Sequence, residues 1–179
     1  MDNALLENLE IRRSESGDVD AIESLYPDAF PDEDLLPVVR DLIRDVANTT
    51  SLVAVVKSQV VGHAIFAKCA VGGCSLKVSL LGPVAVSTGQ QRQGVGSAII
   101  RAGLSGLEKQ DVSLVCVLGD PAYYKRLGFV PESRVEPPYE LPPEWDGAWQ
   151  SQPLGNRTIS ISGKLSVPRP WQEPAYWAP

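Results

Sequence analysis

The chain has 179 residues, enough for one sizeable core, and its 44% apolar content is that of a globular protein. A formal net charge of −6 argues against a nucleic-acid binder that works by neutralising phosphates. An acidic surface of this kind confers solubility and is mildly compatible with a cationic substrate.

Residues 1–10 contain no basic stretch leading into a long apolar run, so no signal peptide is expected. No apolar run reaches membrane-spanning length, so no membrane partner is expected either. Cys69, Cys74 and Cys116 are an odd set without secretory context, which points to reduced thiols in a cytoplasmic protein. His63 is the only histidine and there is no second cysteine pair, so the expectation is no metal. The cysteines read as small apolar packing residues.

Leu9-Glu10-Ile11-Arg12-Arg13 reads as a short first strand. Ser16-Gly17-Asp18 offers a turn and a helix cap. Val19, Ile22 and Leu25 then share a helical face that ends at Tyr26-Pro27. Residues 31–34 form an acidic entry to a second helix. There Leu35, Val38, Val39, Leu42, Ile43 and Val46 recur at helical spacing, Pro37 suits the first turn, and Asn48-Thr49-Thr50 stops it. Residues 52–56 and 60–67 are strands joined through Lys57-Ser58-Gln59, a hairpin pattern. Gly72-Gly73 turns the chain into a strand over residues 75–86. Gly82-Pro83 interrupts that strand, because proline cannot donate to a sheet ladder.

Residues 97–110 read as a helix with Ile100, Gly103, Leu104 and Leu107 facing inward. Gly103 and Gly106 each weaken it by about 1 kcal/mol against alanine, and close packing on a sheet is the expected reason for both. Residues 112–118 are continuously apolar, as buried parallel strands are. Gly119-Asp120-Pro121 leads into a short helix over residues 122–127. Gly128 ends it, and Phe129-Val130 begins another strand.

Beyond residue 130 the composition changes. Pro137-Pro138 and Pro142-Pro143 punctuate a loop, with Trp145 and Trp149 nearby. Residues 158–167 alternate Ile159, Ile161, Gly163 and Leu165 and read as one more strand. The tail, residues 168–179, is rich in proline and tryptophan. It is too apolar for a free linker, so it is expected to pack on the domain or on a second copy in a homodimer.

The most informative stretch joins the end of one strand to the start of a helix: Val84-Ala85-Val86, a polar turn, then Gln91-Arg92-Gln93-Gly94-Val95-Gly96-Ser97. The first backbone N–H groups of a helix lack internal partners and carry partial positive charge. Two glycines let an anion approach that backbone. A phosphate or pyrophosphate site follows. A Walker loop would need Lys-Ser/Thr after the last glycine, where Ser97-Ala98 stand, and a dinucleotide fingerprint would need a third glycine at Ile99. What remains, Gln91-x-x-Gly94-x-Gly96 behind a Val84-x-Val86 strand end, resembles the acyl-CoA signature of the GNAT superfamily of N-acetyltransferases. Tyr124-x-x-x-Gly128-Phe129, in the order and spacing of that family, is similar to its Tyr-x-x-x-Gly-Phe close. The resemblance covers roughly residues 9–130.

The resemblance implies an α/β (α+β) fold with a mixed, mostly antiparallel central sheet flanked by helices. It implies one N-acetyltransferase domain over residues 1–179, with a core of about 9–130 and a strand/loop extension over 131–179. Gly82-Pro83 fits the splay that opens a cleft for the pantetheine arm in such folds. Acetyl-CoA would be the cosubstrate and a primary amine the acceptor, either a small molecule or a peptide or protein amine, with direct attack in a ternary complex. Val84, Ala85 and Val86 would pair with the pantetheine like an added strand, the Val86 N–H donating to the acetyl carbonyl. The amides of Gln91, Arg92, Gln93, Gly94, Val95, Gly96 and Ser97 would take the pyrophosphate. Tyr124 would be the general acid at the sulfur, with Tyr123 pointing elsewhere.

The general base is not legible. His63, Glu33, Asp34 and a water chain are the alternatives, and a lone histidine among apolar neighbours is more often a satisfied packing residue. A Cys116 nucleophile lacks an adjacent base in sequence. A module that binds acyl-CoA without turnover is the alternative from another class. It would need no acid at Tyr124.

Overall fold

The structure, a computed structural model, describes residues 6–156 and 158–178. The expectation for residues 1–10 falls in part on residues 1–5, outside the described residues. The strands hydrogen bond in the order β1 (Leu9–Arg13), β2 (Thr49–Val56), β3 (Gln59–Val71), β4 (Lys77–Val86), β5 (Val112–Leu118), β8 (Trp149–Pro153), β6 (Val130–Pro131). In addition β9 (Gly163–Ser166) pairs with β3, and β7 (Val135–Glu136) with β9. The β1–β2, β3–β9, β5–β8 and β6–β8 ladders are antiparallel, and β4–β5 and β7–β9 are parallel. This is the mixed, largely antiparallel sheet flanked by helices that the sequence implied. Among the described residues no helix is long and apolar enough to cross a membrane.

The chain divides into two compact units, Met1–Phe66 with Pro83–Gly103 and Ala67–Gly82 with Leu104–Pro179. In the first, β1 leads into α1 (Val19–Ala29). Asp18 does not cap α1 as expected. Its carboxylate instead takes the Glu15 N–H at 2.7 Å and both Arg12 guanidinium nitrogens, at 2.7 and 2.9 Å. Helix α1 also runs past its expected end at Pro27. A proline in the last turn forfeits one bond, but the Phe30 N–H still closes the turn on the Tyr26 carbonyl at 2.8 Å.

Helix α2 (Leu36–Arg44) buries Val38, Val39 and Leu42. Val46, expected on the same face, is exposed, because the helix closes at Asp45, whose N–H returns to the Asp41 and Leu42 carbonyls. The Thr49 hydroxyl donates to the Leu42 carbonyl at 2.8 Å, so the expected stop is a helix C-terminus tied to the start of β2. The β2–β3 hairpin turns on Lys57 and Ser58, with φ of 48° and 66°. Positive φ at both centres is what a two-residue hairpin turn demands, and here it is met without glycine.

Helix α3 (Val95–Glu108) begins two residues earlier than expected. A Cβ at Gly103 would collide with the Phe66 ring, which is the close packing anticipated for that glycine. Gly106 differs: a Cβ there would meet nothing within 4 Å.

In the second unit β4 and β5 pair from Lys77–Val112 to Leu81–Val117, and the ladder ends there. Gly82 follows at φ +147°, a conformation that side-chain-bearing residues rarely adopt, and the strand continues through Pro83 rather than breaking. Strand β8 has no counterpart among the elements expected from the sequence. It pairs along the whole of Leu114–Leu118, and its buried Gln150 and Ser151 hide it from any hydrophobic pattern. Of residues 158–167 only Gly163–Ser166 forms a strand, although Ile159, Ile161, Leu165 and Val167 are all buried as the alternation predicted.

The tail packs on its own unit. Trp171 and Trp177 are buried, their ring centroids 6.0 Å apart, and Trp177 lies 6.0 Å from Trp149 and 6.4 Å from Tyr139. The Trp177 indole N–H donates to the Trp171 carbonyl at 3.0 Å, and the Tyr139 hydroxyl to the Gln172 carbonyl at 2.7 Å.

Candidate functional site

All the residues expected to hold a cosubstrate lie in the first unit. The Ser87 N–H donates to the Val61 carbonyl of β3 at 2.9 Å. Peptide groups alternate sides along a strand, so the N–H and C=O of Val86 face the opposite edge, away from β3. That is the orientation an added-strand partner needs. The Gln91 side-chain amide already donates to the Val86 carbonyl, at 3.0 Å.

Past the turn Thr88–Gln90 the backbone alternates in sign. Arg92 has φ 62°, Gln93 is negative, Gly94 has φ 90°, and Val95 opens α3. Alternating left- and right-handed residues turn successive N–H groups toward one side, a concave anion nest, and here it leads into a helix N-terminus. The Gln93 side chain donates to the Gly89 carbonyl at 3.0 Å and braces the turn before the nest. Arg92 is exposed, with its guanidinium in reach of solvent. Gly62 on β3 is required under this segment, since a Cβ there would press on Val95 at 3.1 Å and Ala54 at 3.3 Å.

Tyr124 belongs to the second unit. Helix α4 (Pro121–Tyr124) starts at Asp120, whose carboxylate accepts the Ala122 N–H at 2.9 Å. The chain leaves through the turn Lys125–Leu127 and Gly128 at φ 96°, as the Gly-Phe close predicted. The Tyr124 ring lies against Gly119 so closely that a Cβ there would overlap it. Its edges meet Phe129, with centroids 5.6 Å apart, and Tyr123, at 5.0 Å. Burial pushes the Tyr124 hydroxyl well above the usual phenol range, so at neutral pH it carries its proton. Tyr123 faces Arg126, which stands 5.5 Å over its ring.

The other reactive groups have structural explanations. His63 is fully buried and hydrogen bonded at both nitrogens, Nδ1 to the Tyr26 hydroxyl at 2.6 Å and Nε2 to the Ser51 hydroxyl at 2.8 Å. Ser14 in turn donates to Ser51 at 2.7 Å. Two hydroxyls satisfy a neutral ring in either tautomer, and burial lowers its pKa to about 3. His63 is therefore the satisfied packing residue rather than a base. Burial raises the Cys69 thiol to about 12 and the Cys116 thiol further, which leaves neither nucleophilic. Glu33 and Asp34 are exposed just ahead of α2. One contact escaped the sequence reading. Asp28 accepts the Thr88 N–H at 2.8 Å and the Thr88 hydroxyl at 2.9 Å, and its only sequence signal is a carboxylate in the last turn of a helix.

Comparison with known proteins bears on both motifs. The family described as "Acetyltransferase (GNAT) domain" matches residues 10–131. The N-acetyltransferase YjhQ of Escherichia coli, itself named as uncharacterized, is 29% identical over 165 residues, covering 88% of this chain and 90% of that one. The crystal structure of the Escherichia coli GNAT-family N-acetyltransferase YhbS in complex with CoA has a TM-score of 0.83 and 27% identity, covering 97% of this chain and 96% of that one. A GNAT-family acetyltransferase from Brucella melitensis in complex with acetyl-CoA has a TM-score of 0.74 and 27% identity, covering 92% and 98%.

Proposed function

Since the chain belongs to the GNAT superfamily of acetyltransferases, and is thus an acyltransferase, we propose that it transfers an acetyl group from acetyl-CoA to a primary amine by direct attack in a ternary complex. The observation that carries this reading is the turn with positive φ at Arg92 and Gly94 that runs directly into the N-terminus of α3, a backbone suited to a pyrophosphate. The complexes of similar proteins with CoA and acetyl-CoA support the same cosubstrate. Residues 9–130 form the catalytic core of a single functional domain, and residues 131–179 complete it.

Each residue then has one task. The amides of Gln91, Arg92, Gln93, Gly94, Val95, Gly96 and Ser97 take the pyrophosphate. Val84, Ala85 and Val86 lie along the pantetheine, and the Val86 N–H donates to the thioester carbonyl as it gains negative charge. The amine attacks that carbonyl carbon, the C–S bond breaks, and the Tyr124 hydroxyl gives its proton to the departing sulfur. Tyr124 recovers a proton from solvent. The acceptor nitrogen gives up one proton before it attacks and a second as the amide forms, and both leave by water, because His63 is enclosed and already paired. The acceptor is a small-molecule amine or a peptide or protein amine.

Gly96→Glu sets a negative charge where the pyrophosphate sits. Calorimetry should show folded protein with no measurable CoA binding, whereas wild-type affinity in that variant would remove the pyrophosphate assignment. Thiol release from acetyl-CoA across an amine panel tests turnover directly. Binding without thiol release under any amine would mark a sensor rather than an enzyme.

A further inference from the structure

The turn before the nest is held from outside itself. Ser87 precedes the turn Thr88–Gln90 yet makes no side-chain cap to it. The Thr88 N–H and hydroxyl are taken instead by the two oxygens of Asp28, 60 residues earlier in the chain, at 2.8 and 2.9 Å.

Asp28 stands in the last turn of α1, where a negative charge opposes the helix dipole. A residue that is unfavourable for its own helix but satisfies a distant backbone donor breaks a local rule in favour of a non-local contact. From Thr88 onward the loop is built rung upon rung. The Gln90 N–H donates to the Ser87 carbonyl at 2.8 Å, Gln93 to the Gly89 carbonyl, and Gln91 back to the Val86 carbonyl.

We infer that Asp28 is a positioning residue for the cosubstrate: it anchors Thr88, and through it the backbone of residues 89–94, in the conformation that receives a pyrophosphate. This rests on the reading of residues 91–97 as the pyrophosphate site. Asp28 and Thr88 are both exposed, so the clamp adds little to global stability and its effect is local. A preformed nest binds without first being ordered, and a released one must be ordered at the expense of affinity.

The test is calorimetric titration with CoA of the wild type, Asp28→Ala, Thr88→Val, the double variant, Thr88→Ser and Glu23→Ala, with melting curves alongside. Glu23 lies on the same helix but pairs with Arg40, at 2.9 and 2.6 Å, so its variant loosens α1 without touching the loop. Asp28→Ala and Thr88→Val should each weaken CoA binding by about five- to tenfold at unchanged melting temperature. The double variant should be no weaker than the worse single, and Thr88→Ser should bind like the wild type. Wild-type affinity in Asp28→Ala, additive losses in the double variant, or equal weakening in Glu23→Ala would overturn the inference while leaving the pyrophosphate site standing. A wild type that binds no CoA would remove that site, and the inference with it.

Discussion

Tyr124 is half-buried and His63 fully buried, and desolvation acts on them in opposite ways. It raises the phenol, which stays protonated and suits a donor, and it lowers the imidazole to about 3, which keeps that ring neutral. If Tyr124 donates to the departing sulfur, its contribution is made mainly in the transition state. Tyr124→Phe keeps the ring against Gly119 and Phe129, so melting should hardly move. It should lower kcat by about 10- to 100-fold with the acetyl-CoA KM nearly unchanged, while Tyr123→Phe does little. Full kcat in Tyr124→Phe, once chemistry is shown to be rate-limiting, would make the tyrosine structural. His63 makes a separate prediction. Its folded pKa lies below the unfolded value, so between about 3 and 6.5 the unfolded chain binds the extra proton and stability rises with pH. Acidification through that window should cost on the order of 5 kcal/mol from this residue, and Asp18, held below its usual range by Arg12, loses its contribution in the same direction as it protonates. His63→Gln, which cannot take the charge, should flatten the dependence of melting temperature on pH between 4 and 6.5. An unchanged slope would show that other groups carry the acid sensitivity.

Beyond its first turn, helix α3 contains two glycines that look alike in sequence and differ in space. Gly106→Ala adds a methyl where nothing stands within 4 Å and should stabilise the protein by about 1 kcal/mol through helix propensity alone. Gly103→Ala drives a methyl into Phe66 and should destabilise by about 1–3 kcal/mol, the usual range for overpacking. Denaturant melts of the two variants check both signs, and equal shifts would mean that α3 does not sit against Phe66 as described. Periodicity could not separate these residues, because each falls one helical turn from the other and what distinguishes them is an aromatic ring on β3. The same limit explains the other differences. Strands β1 and β5 were legible to the residue because their apolar pattern is local. Strand β8 was not, because its inward Gln150 and Ser151 are polar and buried by pairing rather than by hydrophobicity. At the site, Gly94 and Gly128 were readable because their positive φ, 90° and 96°, is a conformation that favours glycine, whereas Gly96 lies inside α3 and is not forced by chirality. The Asp28–Thr88 clamp was not, since a carboxylate in the last turn of a helix does not name a partner 60 residues away.

Across the whole molecule, β3, β4 and α3 each begin in one compact unit and end in the other, so neither unit can unravel without cutting short an element the other uses. All 4 tryptophans, Trp145, Trp149, Trp171 and Trp177, fall in the second unit, whereas α1 and α2 fall in the first. Tryptophan fluorescence therefore reports on the second unit and the helical signal in circular dichroism mainly on the first. Ending the chain after Val167 removes Trp171 and Trp177 and uncovers Trp149 and Tyr139, which lie on Trp177. Losing one buried tryptophan side chain costs about 3–5 kcal/mol, so losing two approaches the whole stability of a typical domain, about 5–15 kcal/mol. The truncated chain should be unfolded or melt far lower, and where it still folds the two probes should fall together, because the loss in one unit is felt through three shared elements. A truncated chain that keeps the wild-type melting temperature would mean the aromatic cluster is surface decoration. Helical signal retained after the fluorescence transition would mean the units unfold apart. The cluster closes within one chain, so the tail itself supplies no need for a second copy, and the melting temperature should not depend on protein concentration. A rise with concentration would place a homodimer contact elsewhere on the surface.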